Sequence, residues 1–292
     1  MQPNKPNHKL KLFSLIFISL TGCLPKALKQ EQDKLDNYYQ LNAKPQVKIK
    51  QMNYGQLSYI ESGDTNKSTV IFLHGTPGSA EFFSSYINHT SLQEKAHLIA
   101  VDRPGWGHST INEGVELNYT LYEQSQFLGD WICQLAQNSA SGKVILVGHS
   151  YGATLAPILA MDYPQCVSAM VLLAGAADPD LAQPRWYNRL TRTRVFGSLI
   201  KLTAKQLYQS NKEMLPIQTG LEKIRSRWRE IKQDVVVVHG GKDKLVHPKH
   251  LDFIKQEFIN AKVKTIYKPD QGHFILFEDL DMVVAEIIEL LN

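Results

Sequence analysis

The chain has 292 residues, 43% hydrophobic and 21% charged, the composition of a folded globular protein rather than a disordered or collagenous one. A formal net charge of +4 is too small to argue for nucleic-acid binding. The length accommodates one sizeable core with an insertion.

The chain starts with a basic stretch (Lys5, Lys9, Lys11) followed by a short apolar run over residues 12–20. Such a run is too short to cross a bilayer, so residues 1–22 are expected to be a signal peptide. Leu20-Thr21-Gly22-Cys23 resembles the lipobox of bacterial lipoproteins. The resemblance implies cleavage before Cys23, lipidation at that residue, and an exported protein anchored on the periplasmic side of a bacterial membrane. Leu24, where retained lipoproteins carry Asp, permits passage to the outer membrane. Residues 23–46 are polar and aperiodic and are expected to form a tether. Cys133 and Cys166 then remain, both in apolar helical surroundings. They are expected to be free buried thiols, with a bridge left open by export.

From residue 47 the pattern alternates strands and helices. Residues 47–51 and 57–62 form an expected antiparallel pair turned at 53–55, and 69–73 and 97–101 are short apolar runs of the buried parallel type. Phe127, Leu128, Trp131, Ile132 and Leu135 mark a helical face. The β-branched run 143–147 leads straight into Gly148-His149-Ser150-Tyr151-Gly152, and Ala156, Leu159, Ala160 and Tyr163 mark the following helix, whose first turns Pro157 should perturb. Strands follow at 167–174, 235–239 and 263–267, with helical runs at 251–258 and 284–291. Residues 178–230 have helical patterns and no strand, so they read as a cap inserted between core segments 47–177 and 231–292. Alternation of this length implies an α/β fold with a mainly parallel sheet covered on both faces.

A Gly-x-Ser-x-Gly motif between a buried strand and a helix suits a nucleophile: the sharp turn lifts the serine hydroxyl off the sheet, and the glycines relieve crowding. His74-Gly75-Thr76-Pro77-Gly78, the run from Asp102 to Ser109 (DRPGWGHS), the elbow at Ser150, Gly240-Gly241-Lys242-Asp243 and Gly272-His273-Phe274 occur in one order. In these motifs the chain resembles the α/β-hydrolase superfamily from about residue 50 to its end. The resemblance implies that fold, here with a helical cap, and a Ser-Asp-His triad of Ser150, Asp243 and His273. A serine hydroxyl needs an imidazole to take its proton, and a carboxylate to hold that imidazole's tautomer. Asp178, after the 167–174 strand, is the alternative acid. His149, His74, His108 and His239 read as structural. The backbone N–H groups of Thr76 and Tyr151 are the expected oxyanion hole, and Pro77 has no N–H to give.

A serine at the elbow implies an acyl-enzyme, unlike the aspartate esters of epoxide hydrolases and haloalkane dehalogenases. The sequence has no metal-ligand spacing, GxGxxG or P-loop, so no metal and no cofactor are expected. The cap is basic: between Leu181 and Arg229 only Glu213 and Glu222 are acidic. That face suits anionic lipid or an acidic substrate, or is merely solvated. Trp186, Phe196, Leu199 and Trp228 could line an acyl pocket or form the cap's own core. The expected activity is carboxylester hydrolysis on small or medium acyl esters, with lysophospholipid as a variant substrate. A proline iminopeptidase-like aminopeptidase and a non-catalytic surface-binding lipoprotein are the alternatives. The expected partners are the small acyl substrate and the membrane, through Cys23, with no nucleic acid and no obligate protein partner.

Overall fold

Strand residues alternate between two apolar cores, one on each side of the sheet. Ile71 and Leu73 of β3 (Ser68–Leu73) enter one core while Val70 and Phe72 enter the other. Leu146 and its neighbours Ile145 and Val147 divide the same way in β6 (Val144–His149). The computed structural model describes residues 45–184, 188 and 205–292. The expected signal peptide, Cys23, nearly all of the tether and cap residues Trp186, Phe196 and Leu199 lie outside the described residues.

The sheet has nine strands among the described residues. Its first part comprises β1 (Lys48–Met52), β2 (Gly55–Gly63), β3, β4 (Ala96–Val101) and β5 (Thr110–Ile111). Its second comprises β6, β7 (Val167–Leu173), β8 (Asp234–Gly240) and β9 (Val263–Lys268). Their spatial order is β1-β2-β4-β3-β6-β7-β8-β9, with β5 paired to β2. Every pairing from β4 to β9 is parallel, and only those of β2 are antiparallel. Six helices bear on the argument: α1 (Leu121–Asn138), α2 (Tyr151–Asp162), α3 (Lys205–Met214), α4 (Ile217–Lys223), α5 (His250–Glu257) and α6 (Leu280–Leu291). Residues of α1, α2 and α5 fill one core, and those of α6 the other.

Two sequence expectations change, and one left open is resolved. Helix α2 runs unbroken through Pro157, because residues 151–161 are all buried and packing on both sides outweighs one missing hydrogen bond. Cys133 and Cys166 are not free thiols. They form a disulfide with Cα atoms 5.1 Å apart, because the turn Tyr163–Cys166 brings the start of β7 against α1. The spacing of 33 residues carries no signal of that proximity. Trp228 belongs to the core: its ring is fully buried and stacks on Phe258 at 5.3 Å between centroids. Between β7 and β8 the described residues hold α3, α4 and a 3-10 helix (Arg225–Glu230), with no strand. Its basic side chains are partly consumed within the protein: Arg225 pairs with Glu222 and Asp180, and Arg227 with Asp162 and Glu230.

Candidate active site

Parallel strands that end together leave their next residues on one edge, and the site residues come from those ends. Ser150 joins β6 to α2 with φ 54° and ψ −117°, a conformation that costs a non-glycine residue energy and persists only where its surroundings enforce it. Ser150 N–H donates to Leu173 O at 2.8 Å, which pins the turn to β7. Both flanking glycines are sterically required. A Cβ on Gly148 would lie 2.4 Å from Gly152 O, and one on Gly152 would lie 2.0 Å from Leu73 O. The start of α2 leaves its first N–H groups, Tyr151's included, without partners in the helix. The loop after β3 lies against the same point, since a Cβ on Gly75 would fall 2.9 Å from Ser150 Cβ. Thr76 Oγ1 in that loop is buried with no partner among the described residues.

His273 follows β9, and its Nδ1–H donates to Asp243 Oδ2 at 2.8 Å. Asp243 follows β8, and its Oδ1 accepts from the N–H groups of Leu245 and Val246. Burial works to raise the Asp243 pKa, but the hydrogen bonds from His239, His273 and Val246 outweigh it and hold the carboxyl below its usual range. Asp178, the alternative acid, makes no such contact: its Oδ1 accepts from Asp180 N–H, and its own N–H donates to His250 Nδ1. His149 ties the elbow to the histidine loop, because its Nε2–H donates to the His273 carbonyl at 2.9 Å. Burial, reinforced by the neighbouring His273, pushes the His149 pKa down to about 3, so the ring is neutral at pH 7. Its neighbour Ser150 is thereby on the same small cluster as the Asp243–His273 pair.

Two of the other histidines, His74 and His239, are held in place by hydrogen bonds. His74 Nε2 accepts from Arg103 N–H while its Nδ1–H donates to Gly75 O; burial, with Arg103 beside it, holds its pKa well below the ordinary value. His239 was legible only as a turn-shaper, yet its Nε2 lies 3.3 Å from Asp243 Oδ2 and 3.0 Å from Val246 O. Asp102 accepts from Ser58 Oγ, Ala80 N–H and His108 N–H, so it ties the loop after β3 to the loop after β4. A second group went unassigned in the sequence. Arg103 and Glu213 form an ion pair that is 0% exposed on both sides, at 2.6 Å. The only hint of it was an arginine inside the motif after β4 and one of two acids in a basic stretch of the cap.

A family model described as "Alpha/beta hydrolase family" matches residues 70–286. Epoxide hydrolase 3 of Mus musculus is 32% identical over 120 residues, 41% of this chain and 31% of that protein. The chain thus spans about a third of that relative. Lipase 1 of Psychrobacter immobilis is 22% identical over 307 residues, covering 94% of this chain and 93% of the lipase. Among solved structures, haloalkane dehalogenase DbeA from Bradyrhizobium elkani USDA94 superposes with a TM-score of 0.66 at 17% identity, over 85% of this chain and 98% of that one. At that identity the likeness speaks for the fold alone.

Proposed function

The chain belongs to the alpha/beta hydrolase family, and from that premise we propose that it is a serine hydrolase acting through an acyl-enzyme on small or medium acyl esters. The observation that carries the reading is the Asp243–His273 hydrogen bond at 2.8 Å, tied through His149 to the strained turn at Ser150. Ser150 Oγ attacks the ester carbonyl while His273 Nε2 takes its proton. The carbonyl oxygen gains negative charge and is met by the N–H groups of Tyr151 and Thr76, with the unpartnered Thr76 hydroxyl as a further donor. His273 then protonates the departing alcohol, Asp243 steadying the imidazolium. Water enters on the same histidine, attacks the acyl carbon and releases Ser150.

The cap favours an ester over a peptide with a free amino end. An aminopeptidase must hold a substrate ammonium with a carboxylate, and of the five in the cap, residues 178–230, Asp180 and Glu230 are paired with Arg225 and Arg227 while Asp178 accepts from the Asp180 N–H. Glu213 is enclosed against Arg103, and Glu222 is paired with Arg225. The resemblance over 94% of the chain to a protein named a lipase agrees with that choice. We further propose export and anchoring through Cys23, with the hydrolase core held off the membrane by residues 23–46. Incorporation of a fatty-acid label that is lost in Cys23→Ser tests the anchor, and incorporation that persists in the variant would contradict it.

The test of function is a substrate panel (p-nitrophenyl esters of graded acyl length, lysophospholipids and aminoacyl anilides) run beside Ser150→Ala. Ester turnover that the variant abolishes is the expected result. Turnover confined to the anilides would replace the esterase reading with an aminopeptidase one.

A further inference from the structure

Glu213 lies on cap helix α3, yet its carboxylate is sealed inside the protein. An ion so enclosed persists only when every oxygen is matched. Its Oε1 accepts from Arg103 Nη1 at 2.6 Å, Trp106 Nε1 at 2.8 Å and Gln124 Nε2 at 2.9 Å, and its Oε2 from Arg103 Nη2 at 3.0 Å. The guanidinium is equally committed. Nε–H donates to His74 O at 2.8 Å, the second Nη2–H to Gly75 O at 2.8 Å, and the second Nη1–H to Gln124 Oε1 at 2.6 Å. All five donors of the fork are thereby used.

The targets of this fork are specific. His74 and Gly75 are the two residues before Thr76, and their carbonyls fix the peptide planes that lead into the Thr76 N–H. The guanidinium carbon also lies 4.6 Å from the centre of the Tyr151 ring. Tyr151 is held at its far end too, since its hydroxyl accepts from Gln124 Nε2 and donates to Tyr119 O. One cation thus touches the backbone or side chain beside both expected oxyanion donors, and the acid that neutralises it comes from the cap. A lysine in its place would offer a point charge without the fork.

We propose that Arg103 and Glu213 are positioning residues for the oxyanion hole, through which the docked cap sets the reactivity of Ser150. The inference rests on the serine-hydrolase reading above. Oxyanion donors act only when fixed on the place where charge develops, and a displaced loop forfeits part of their effect. A purely structural ion pair would instead affect stability and leave the chemical step alone.

The test is the paired replacement Arg103→Met with Glu213→Leu, which removes both charges together and so leaves neither ion stranded. With the protein shown to be folded by its melting transition, kcat on a p-nitrophenyl ester is expected to fall about 10–100-fold, a part of what one donor is worth. KM should stay within about twofold, as expected when only transition-state stabilisation is lost. Affinity for a trifluoromethyl ketone, whose adduct puts an oxyanion in the hole, should fall by the same factor as kcat/KM. Wild-type kcat and wild-type ketone affinity in the folded double variant would overturn the inference. Should that variant fail to fold, Glu213→Gln, which keeps the side-chain volume and removes the charge, is held to the same two readouts. Failure of the wild-type protein itself to react with a fluorophosphonate would overturn the serine-hydrolase reading, and this inference with it.

Discussion

Two buried carboxylates are linked to the elbow, and their partners differ in kind. Asp243 is met by imidazoles, from His273 at 2.8 Å and His239 at 3.3 Å, with two backbone N–H groups on its other oxygen. Glu213 is met by a guanidinium, with an indole and an amide completing its shell. An imidazole changes charge within the physiological range, whereas a guanidinium does not. The first arrangement can move a proton. The second can only hold geometry. In the proposed mechanism, proton transfer falls to the β8 and β9 loops, and the fixing of the loop that bears Thr76 falls to the ion pair under the cap.

The comparison can be broken from either side. On the imidazole side, Asp243→Asn should lower kcat by about 10⁴-fold, because an amide no longer holds the tautomer that lets His273 accept a proton. That is about 5.5 kcal/mol of transition-state stabilisation, and the variant should still fold. A fall of less than about tenfold would mean that Asp243 is not the orienting acid. On the guanidinium side, Arg103→Met alone leaves Glu213 buried without its cation. Stability should drop by about 3–5 kcal/mol, read from urea unfolding, where the paired replacement costs far less. Equal losses in the single and paired variants would show that the charge balance is immaterial.

A third region serves as a control on both. Reduction of Cys133–Cys166, which closes a loop of 33 residues, should cost about 3–4 kcal/mol of stability and leave kcat unchanged, since the bridge lies between α1 and the start of β7. Loss of activity at a temperature where the reduced protein is folded would place the bridge closer to the chemistry than this account allows.

Acidity separates the two sides again. Burial holds His149 neutral with a pKa of about 3, and His250 likewise with a pKa of about 4, while the unfolded chain takes up these protons near 6.5. Between about pH 6.5 and 4 the unfolded state therefore binds more protons, and stability is lost as the pH falls. Each group contributes at most about 1.4 kcal/mol per pH unit. Asp243 adds a loss in the same direction at lower pH, because its folded pKa is depressed: its contribution is present above the ordinary carboxylate range and disappears beneath it. His250→Asn, which can still accept from the Ala177 and Asp178 N–H groups, should flatten the slope of urea midpoints between pH 7 and 5. An unchanged slope would mean that His250 titrates alike in both states.

The strand pattern, the elbow and the chain order of the motifs were legible because they are local. A β-branched run ending in Gly148-His149-Ser150-Tyr151-Gly152 specifies its own turn, and Gly148 answers to a contact inside that turn, with the Gly152 carbonyl. Apolar runs at β3, β4 and β6 likewise announce a sheet buried on both faces. What stayed hidden depends on distance along the chain. Cys133 meets Cys166 and Arg103 meets Glu213 only after the layers pack. No periodicity encodes such meetings. Pro157 shows the converse: a strong local signal was overruled by a helix buried on nearly every side.

The proposed mechanism turns on Ser150 as its nucleophile. It is tested most directly by reacting the protein with a fluorophosphonate and locating the modified residue by mass spectrometry, beside Ser150→Ala. One phosphonylated site, Ser150, and no labelling of the variant are expected. Labelling that survives in Ser150→Ala, or a folded wild-type protein that does not react, would contradict it.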